Sequence, residues 1–236
     1  MPSGPCSTAS RRFTRYPGRD TGSTVLEIGC GTGQLTELLA GYGFELTAID
    51  IGPSMIAAAQ SQLEGSAVSF HASSFEDLAA ADETFDLIIA SAAFHWIDPE
   101  VRFVKSARLL RPGGWLALIS TDERYDDPLG AALGGMWAAR GDTDGAWAQP
   151  ATNAEIMAAT GLFAKPLDHN DARRVTRSAD IVIGVENTRA TSLSWPDDVR
   201  REFTEELSRA LESKPEVDLT LRTTVTMAEV LKGAAG

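Results

Sequence analysis

Cysteine is scarce in this chain. Only Cys6 and Cys30 occur among 236 residues, too few for a disulfide framework or a cysteine-built zinc site and in keeping with a reducing cytoplasm. Positive charge is also short: 21 Lys and Arg face 33 Asp and Glu, a formal net charge of −12. A nucleic-acid groove needs an electropositive face, so this balance speaks against nucleic acid as a partner. Long apolar runs are missing. No stretch approaches the roughly 20 apolar residues of a membrane span. The opening "MPSGPCSTASRRFTRYPGRD" holds no apolar segment of signal-peptide length. The expectation is a cytoplasmic protein that takes neither a membrane nor a nucleic acid as partner. What remains is 43% hydrophobic and 23% charged, an ordinary globular balance, with length enough for one sizeable α/β core.

Residues 1–22 are rich in Ser, Pro, Gly and Arg and read as a mobile N-terminal arm. From there residues 23–236 read as one domain. "TVLEIG" is a buried strand, "GQLTELLAGYG" a helix, "FELTAID" a strand and "GPSMIAAAQSQL" a helix opened by Pro53. "AVSFHAS" and "FDLIIASAA" follow as strands. "DPEVRFVKSARLL" is the clearest helix, with Asp98 placed to cap it and Pro99 in its first turn. "RPGG" is a turn and "WLALIS" a fifth strand. Alternation of this kind builds a parallel sheet with helices on both faces. Residues 121–170 break the regularity and read as a partly helical insertion. Beyond them lie a strand at "DARRVTR", helices at "SADIVIGVENTRATSL" and "PDDVRREFTEELSRALES", and a last strand at "VDLTLRTTVTM".

The stretch "EIGCGTG" carries the chemistry. Gly29, Gly31 and Gly33 stand between a strand and a helix, where glycine permits unusual backbone angles and lets a ligand lie against the main chain. A tight turn with no ligand is the plainer reading. Asp50 ends the second strand about 20 residues further on, where a carboxylate can take two ribose hydroxyls, or simply cap the next helix. Together the two features favour a nucleoside-containing ligand. The spacing is GxGxG, with Gln34 after Gly33, rather than the dinucleotide GxGxxG. Glu27 beside the turn would repel a pyrophosphate and suits an ammonium group.

In order and spacing, "VLEIGCGTG", "LTAIDIGPSMIAAA", "SFHASSFEDL", "FDLIIASAAFHWIDPE" and "LLRPGGWLALIS" resemble the motifs of class I S-adenosylmethionine-dependent methyltransferases, in particular the small-molecule branch with trans-aconitate-type and ubiquinone-pathway-type enzymes. The likeness runs from about Thr24 to Ser120. It implies a Rossmann-like α/β fold: a seven-stranded, mostly parallel sheet with helices on both faces, its last strand antiparallel and inserted beside the fifth. It implies S-adenosylmethionine as cofactor and a small-molecule methyl acceptor. By motif, Glu27 faces the methionine amino group through water, and Gly29, Cys30, Gly31 and Gly33 pack on methionine and ribose. Asp50 takes the ribose hydroxyls, while Ile51 and Met55 lie against the adenine. Ser74, standing where the family often has aspartate, and the Phe75 amide meet the adenine edge. Ala90 and Ser91 lie beneath the sulfonium.

Phe94, His95 and Trp96 follow the fourth strand, with Trp137 and Trp147 in the insertion. The resemblance implies an acceptor pocket from these five. His95 is the candidate catalytic residue, as a base, as a positioning hydrogen-bond partner, or as a structural histidine beside Trp96. His71 and His169 have no motif around them. Phe13 and Tyr16 stand where relatives carry an aromatic cover. No metal site is expected; the acidic "TDERYDD" reads as a solvated loop. A carboxylate or hydroxyl oxygen is the favoured acceptor atom over carbon or nitrogen, and a carboxylate would call for an arginine such as Arg124 or Arg140. Two other functions stay open: a non-catalytic protein that binds S-adenosylmethionine or S-adenosylhomocysteine, and an NAD-dependent oxidoreductase.

Overall fold

The apolar run Thr24–Ile28 (β1) forms the centre of a parallel sheet in a computed structural model that describes residues 22–125, 128–141 and 152–231. Four of its five residues are buried, as expected of a strand covered on both faces. The remaining elements follow in chain order: α1 (Gln34–Ala40), β2 (Glu45–Asp50), α2 (Pro53–Gln62), β3 (Ser69–Ala72), β4 (Phe85–Ser91), a 3-10 turn (Phe94–Trp96), α3 (Pro99–Leu109), β5 (Leu110–Tyr125), α4 (Leu129–Ala138), α5 (Asn153–Ala159), β6 (Leu167–Ser178), α6 (Ala179–Asn187), α7 (Ala190–Ser194), α8 (Asp197–Leu211) and β7 (Glu216–Glu229).

The seven strands run β3-β2-β1-β4-β5-β7-β6. Both neighbours of β1 are parallel to it, with Ile28 opposite Ile49 on β2 and opposite Ala90 on β4. β7 lies between β5 and β6 and runs antiparallel, the arrangement the family resemblance implies. Strand order reverses between β1 and β4, so the chain leaves these two strands towards opposite sides. A crevice opens at their carboxyl ends, the usual ligand position in an open α/β sheet.

Local signals set most boundaries. Asp98 caps α3 by accepting from the Glu100 amide at 2.8 Å, and Pro99 occupies its first turn. Three expectations are corrected. Residues 111–114, "RPGG", lie within β5 rather than in a turn before it, where the pairing with β4 shifts register. Residues 121–125 of "TDERYDD" continue β5 rather than forming a solvated loop, with Glu123 held to Arg177 at 2.7 Å. The single helix expected over "SADIVIGVENTRATSL" is two, because α6 stops at Asn187 and α7 begins at Ala190.

The chain divides into two compact units. Of the described residues, the first holds 22–120, 153–169 and 224–231. Its core gathers Leu26, Ile88, Leu109, Leu116 and Met157. The second holds 121–125, 128–141, 152 and 170–223, around Leu133, Trp137, Phe203 and Leu207. Within the second unit the buried carboxylate of Glu186 is a hub. It accepts from the Tyr125 hydroxyl at 2.9 Å, from the Trp137 indole at 3.2 Å, and from Arg189 at 2.8 and 2.9 Å. Burial and the neighbouring carboxylate charges push the Tyr125 phenol well above its ordinary range.

Removing that charge strands a cation beside two buried donors. Glu186→Gln should lower unfolding stability in urea by about 3 kcal/mol. Glu206→Gln, at the half-exposed partner of Arg140, should cost under about 1 kcal/mol. Equal losses would contradict the assignment of Glu186 as the hub.

Candidate functional site

The first unit contains a cavity of about 350 Å³ where β1, β2 and β4 end. Ile28 and Gly29 border it from β1, Asp50 and Ile51 from β2, and Ser91, Ala92 and Ala93 from β4. Ser73, Phe75 and Glu76 after β3, together with Trp96 and Ile97, complete the lining.

The three glycines of the β1 turn all have positive φ, yet each answers a different demand. A Cβ on Gly29 would stand 2.2 Å from the Ala93 Cβ, so this glycine lets the β4 loop close on β1. A Cβ on Gly33 would meet Ala59 at 3.2 Å, so Gly33 lets α2 approach the start of α1. Around Gly31 there is nothing within 4 Å. Of the three, only Gly31 leaves open space where a ligand can lie on bare backbone.

Asp50 organises the rim. One carboxylate oxygen accepts from the Gly31 amide at 2.9 Å and the other from the Gly52 amide at 2.8 Å. Each oxygen keeps lone-pair capacity for a ligand hydroxyl. Beside it, Ile51 is 78% exposed and Met55 44%. Such apolar side chains in water offer a face to a flat, weakly polar ring.

Glu27 is the most unusual group. It is 1% exposed, and its Oε2 has no hydrogen-bond partner among the described residues. Burial raises it from 4.5 to about 7, with the nearby Thr36 hydroxyl opposing more weakly. An acid whose folded value exceeds its unfolded one binds a proton on folding. Its stabilising contribution is therefore complete below pH 4.5 and is lost as pH rises to about 7. Cys30 next to it is buried, and desolvation with the Glu27 and Asp50 charges drives the thiol up to about 12. At that value it is no nucleophile at neutral pH.

The other residues singled out in the sequence divide between lining and core. Phe75 is buried, borders the cavity and carries the Lys105 ammonium 5.4 Å from its ring centre. Ser74 is turned to its own loop: its hydroxyl donates to Asp77 at 2.8 Å and accepts from the Asp77 amide. Ser91 borders the cavity and Ala90 is buried in the strand. Trp96 borders it at 68% exposure, with exposed His95 against it at 4.8 Å between ring centres. Partial desolvation and the Arg102 charge lower His95, which keeps its imidazole neutral near pH 7. Phe94 belongs to the core, edge-on to Phe103 at 5.1 Å. Trp137 lies in the core of the second unit, its indole N–H taken by Glu186 and its ring packed on Trp195 and Phe203. Trp147, Phe13 and Tyr16 lie outside the described residues. Arg124 is paired with Asp122 and Arg140 with Glu206. His71 sits exposed on β3, and His169 lies in β6. Among the described residues no group of three or more His, Cys, Asp and Glu is placed to hold a metal ion.

Ala92, Ala93 and Glu76 were not legible as site residues. Ala92 has φ +53, a strained conformation for a residue with a Cβ, and it borders the cavity. The only sequence signal was the run of small residues in "ASAAF".

Comparison with known proteins bears on this geometry. Residues 26–118 match the family described as "Methyltransferase domain". Over these residues the chain is similar to methyltransferase domains. A ubiquinone biosynthesis O-methyltransferase from a Methylobacterium species is 32% identical over 160 residues, 61% of this chain and 63% of that protein. A malonyl-[acyl-carrier protein] O-methyltransferase from Anoxybacillus flavithermus is 39% identical over 104 residues, 43% of this chain and 40% of that protein. The matches thus span less than two thirds of those relatives' own lengths. In fold, the crystal structure of YcgJ from Bacillus subtilis superposes with a TM-score of 0.61 at 20% identity, covering 92% of this chain and 95% of that one. The methyltransferase match takes in β1, the glycine turn, Asp50 and the β4 loop. No helix among the described residues is long and apolar enough to cross a membrane.

The glycine geometry is directly testable. Gly31→Ala meets no neighbour and should cost only the left-handed backbone strain, about 1–2 kcal/mol. Gly29→Ala adds a backbone-level collision and should lower the melting temperature clearly more. The reverse ranking would contradict this account of the turn.

Proposed function

We propose that the methyltransferase domain binds S-adenosylmethionine in this cavity and transfers its methyl group to a small-molecule acceptor. The observation that carries the reading is Glu27: a buried carboxylate with an orphan oxygen, next to a bare-backbone turn. A buried acid without a cation is costly, and the amino group of an amino-acid ligand supplies one. The same carboxylate disfavours a pyrophosphate, which argues against a nicotinamide dinucleotide.

When bound, S-adenosylmethionine supplies an electrophilic methyl carbon and its own leaving group. The residues of this chain bind and orient. Asp50 takes ribose hydroxyls with the oxygens already aimed by Gly31 and Gly52. Ile51, Met55 and Phe75 form the apolar surround of the adenine. Ala90 and Ser91 lie beneath the reacting end. Proximity and exclusion of water are the main protein contributions to such an in-line displacement. His95, neutral at pH 7, fits the role of a hydrogen-bond partner that positions the acceptor. Oxygen is the favoured acceptor atom. Two relatives are named as O-methyltransferases, and an already ionised oxygen needs no base.

Calorimetry with the full chain tests the reading. S-adenosylmethionine should bind saturably and NADH should not. Asp50→Ala should weaken binding roughly tenfold to hundredfold, since hydrogen bonds to a charged group are each worth about 1.5–3 kcal/mol and water compensates in part. Tight NADH binding with none of S-adenosylmethionine would overturn it. Binding without S-adenosylhomocysteine production across carboxylates and phenols would favour a non-catalytic role.

A further inference from the structure

We propose that Arg102 and His95 form a subsite for an anionic oxygen group, carboxylate or phosphate, on the methyl acceptor. The inference rests on the methyltransferase reading for its role, and on the following geometry for its place.

Arg102 stands apart from the arginines that the sequence offered for this task. Arg124 and Arg140 are committed to Asp122 and Glu206. Arg102 forms no ion pair among the described residues, and its Nε is buried with no hydrogen-bond partner. A guanidinium in that state is a standing cost, because it presents five donors and accepts nothing. Its surroundings are apolar. The guanidinium carbon lies 5.9 Å from the centre of the Phe94 ring and 5.3 Å from that of Phe103. The rings hold the planar fork by cation–π attraction without using up a single N–H.

The placement follows from the helix. Arg102 lies in the first turns of α3, where side chains lean back towards the N-terminus. It therefore reaches back over the Phe94 ring, in the turn that also holds His95 and Trp96, and Ala93, Trp96 and Ile97 of that loop border the cavity. His95 senses this cation, which helps to keep its imidazole neutral. A neutral imidazole offers one N–H to an anion, and the guanidinium offers both charge and a bidentate fork. Asp98 and Glu76 accept from the Glu100 and Asp98 amides, and neither is ion-paired with Arg102 among the described residues. An incoming anion thus has a partner that the protein has left unneutralised.

The test uses the His95 imidazole signals in NMR of the full chain, assigned with His95→Gln. Malonate, inorganic phosphate and chloride are titrated separately at constant ionic strength. Malonate or phosphate should move the His95 signals saturably and raise its titration midpoint, since the bound anion screens Arg102; chloride should not. The tighter of the two anions identifies the group. Arg102→Met keeps the packing on both rings and removes the charge, and it should weaken the response at least tenfold, as expected for loss of a charged hydrogen-bond partner. Arg102→Lys should retain part of it and serves if the Met variant does not fold. No saturable shift in the wild type, or one unchanged in Arg102→Met or fully kept in Arg102→Lys, would overturn the subsite. S-adenosylmethionine calorimetry on the same wild-type sample separates the two ideas. An anion response without cofactor binding refutes the methyltransferase reading and leaves the subsite standing. Cofactor binding without an anion response does the opposite.

Discussion

The carboxylate of Asp50 ties two loops into one rim. One oxygen takes the Gly31 amide and the other the Gly52 amide, so the turn after β1 and the turn after β2 are fixed to a single planar group. Both turns lead directly into helices, α1 and α2, and Gly33 then allows those helices to approach at Ala59. The bend at Gly29 makes room for Ala93, which brings the β4 loop to the same place. The cavity is thus a consequence of backbone satisfaction and close packing. A ligand bringing hydroxyls to Asp50 would meet a carboxylate that is already aimed, so little ordering entropy would oppose binding.

Against this satisfied rim, the orphan groups stand out. Glu27 and Arg102 both bury polar atoms without partners, while the second unit surrounds its own buried acid, Glu186, with four donors. The contrast separates two uses of buried charge. A completed network specifies packing. An incomplete one leaves a charge that a ligand of opposite sign would complete. In the proposed reading Glu27 takes a cation and Arg102 an anion, and they lie on β1 and α3 of the same unit. The proposed pairing of a cationic cofactor with an anionic acceptor has this charge pattern.

Much of the fold was legible because its signals are local. β1 shows as an unbroken apolar run, α3 announces itself by Asp98 and Pro99, and the glycine turn by spacing alone. What escaped depends on residues far apart in sequence. β5 runs on to Tyr125 where Glu123 meets Arg177, which local pattern cannot reveal. Aromatic residues were the least decidable. Phe94, Trp96 and Trp137 look alike as sequence, yet the first and last are buried and Trp96 is exposed at the cavity. Arg102 was missed for a different reason. Its distinction is the lack of a partner, which only the folded arrangement exposes.

The central claim is that Glu27 must be ionised to hold the cofactor amino group. The most direct measurement is the affinity of S-adenosylmethionine between pH 5 and 7, for the wild type and for Glu27→Gln. With the free carboxyl titrating at about 7, wild-type affinity should rise about tenfold from pH 5 to 6 and about fivefold from 6 to 7. The Gln variant should bind weakly with no such slope. A wild-type affinity that is flat with pH and matched by the Gln variant would contradict the account.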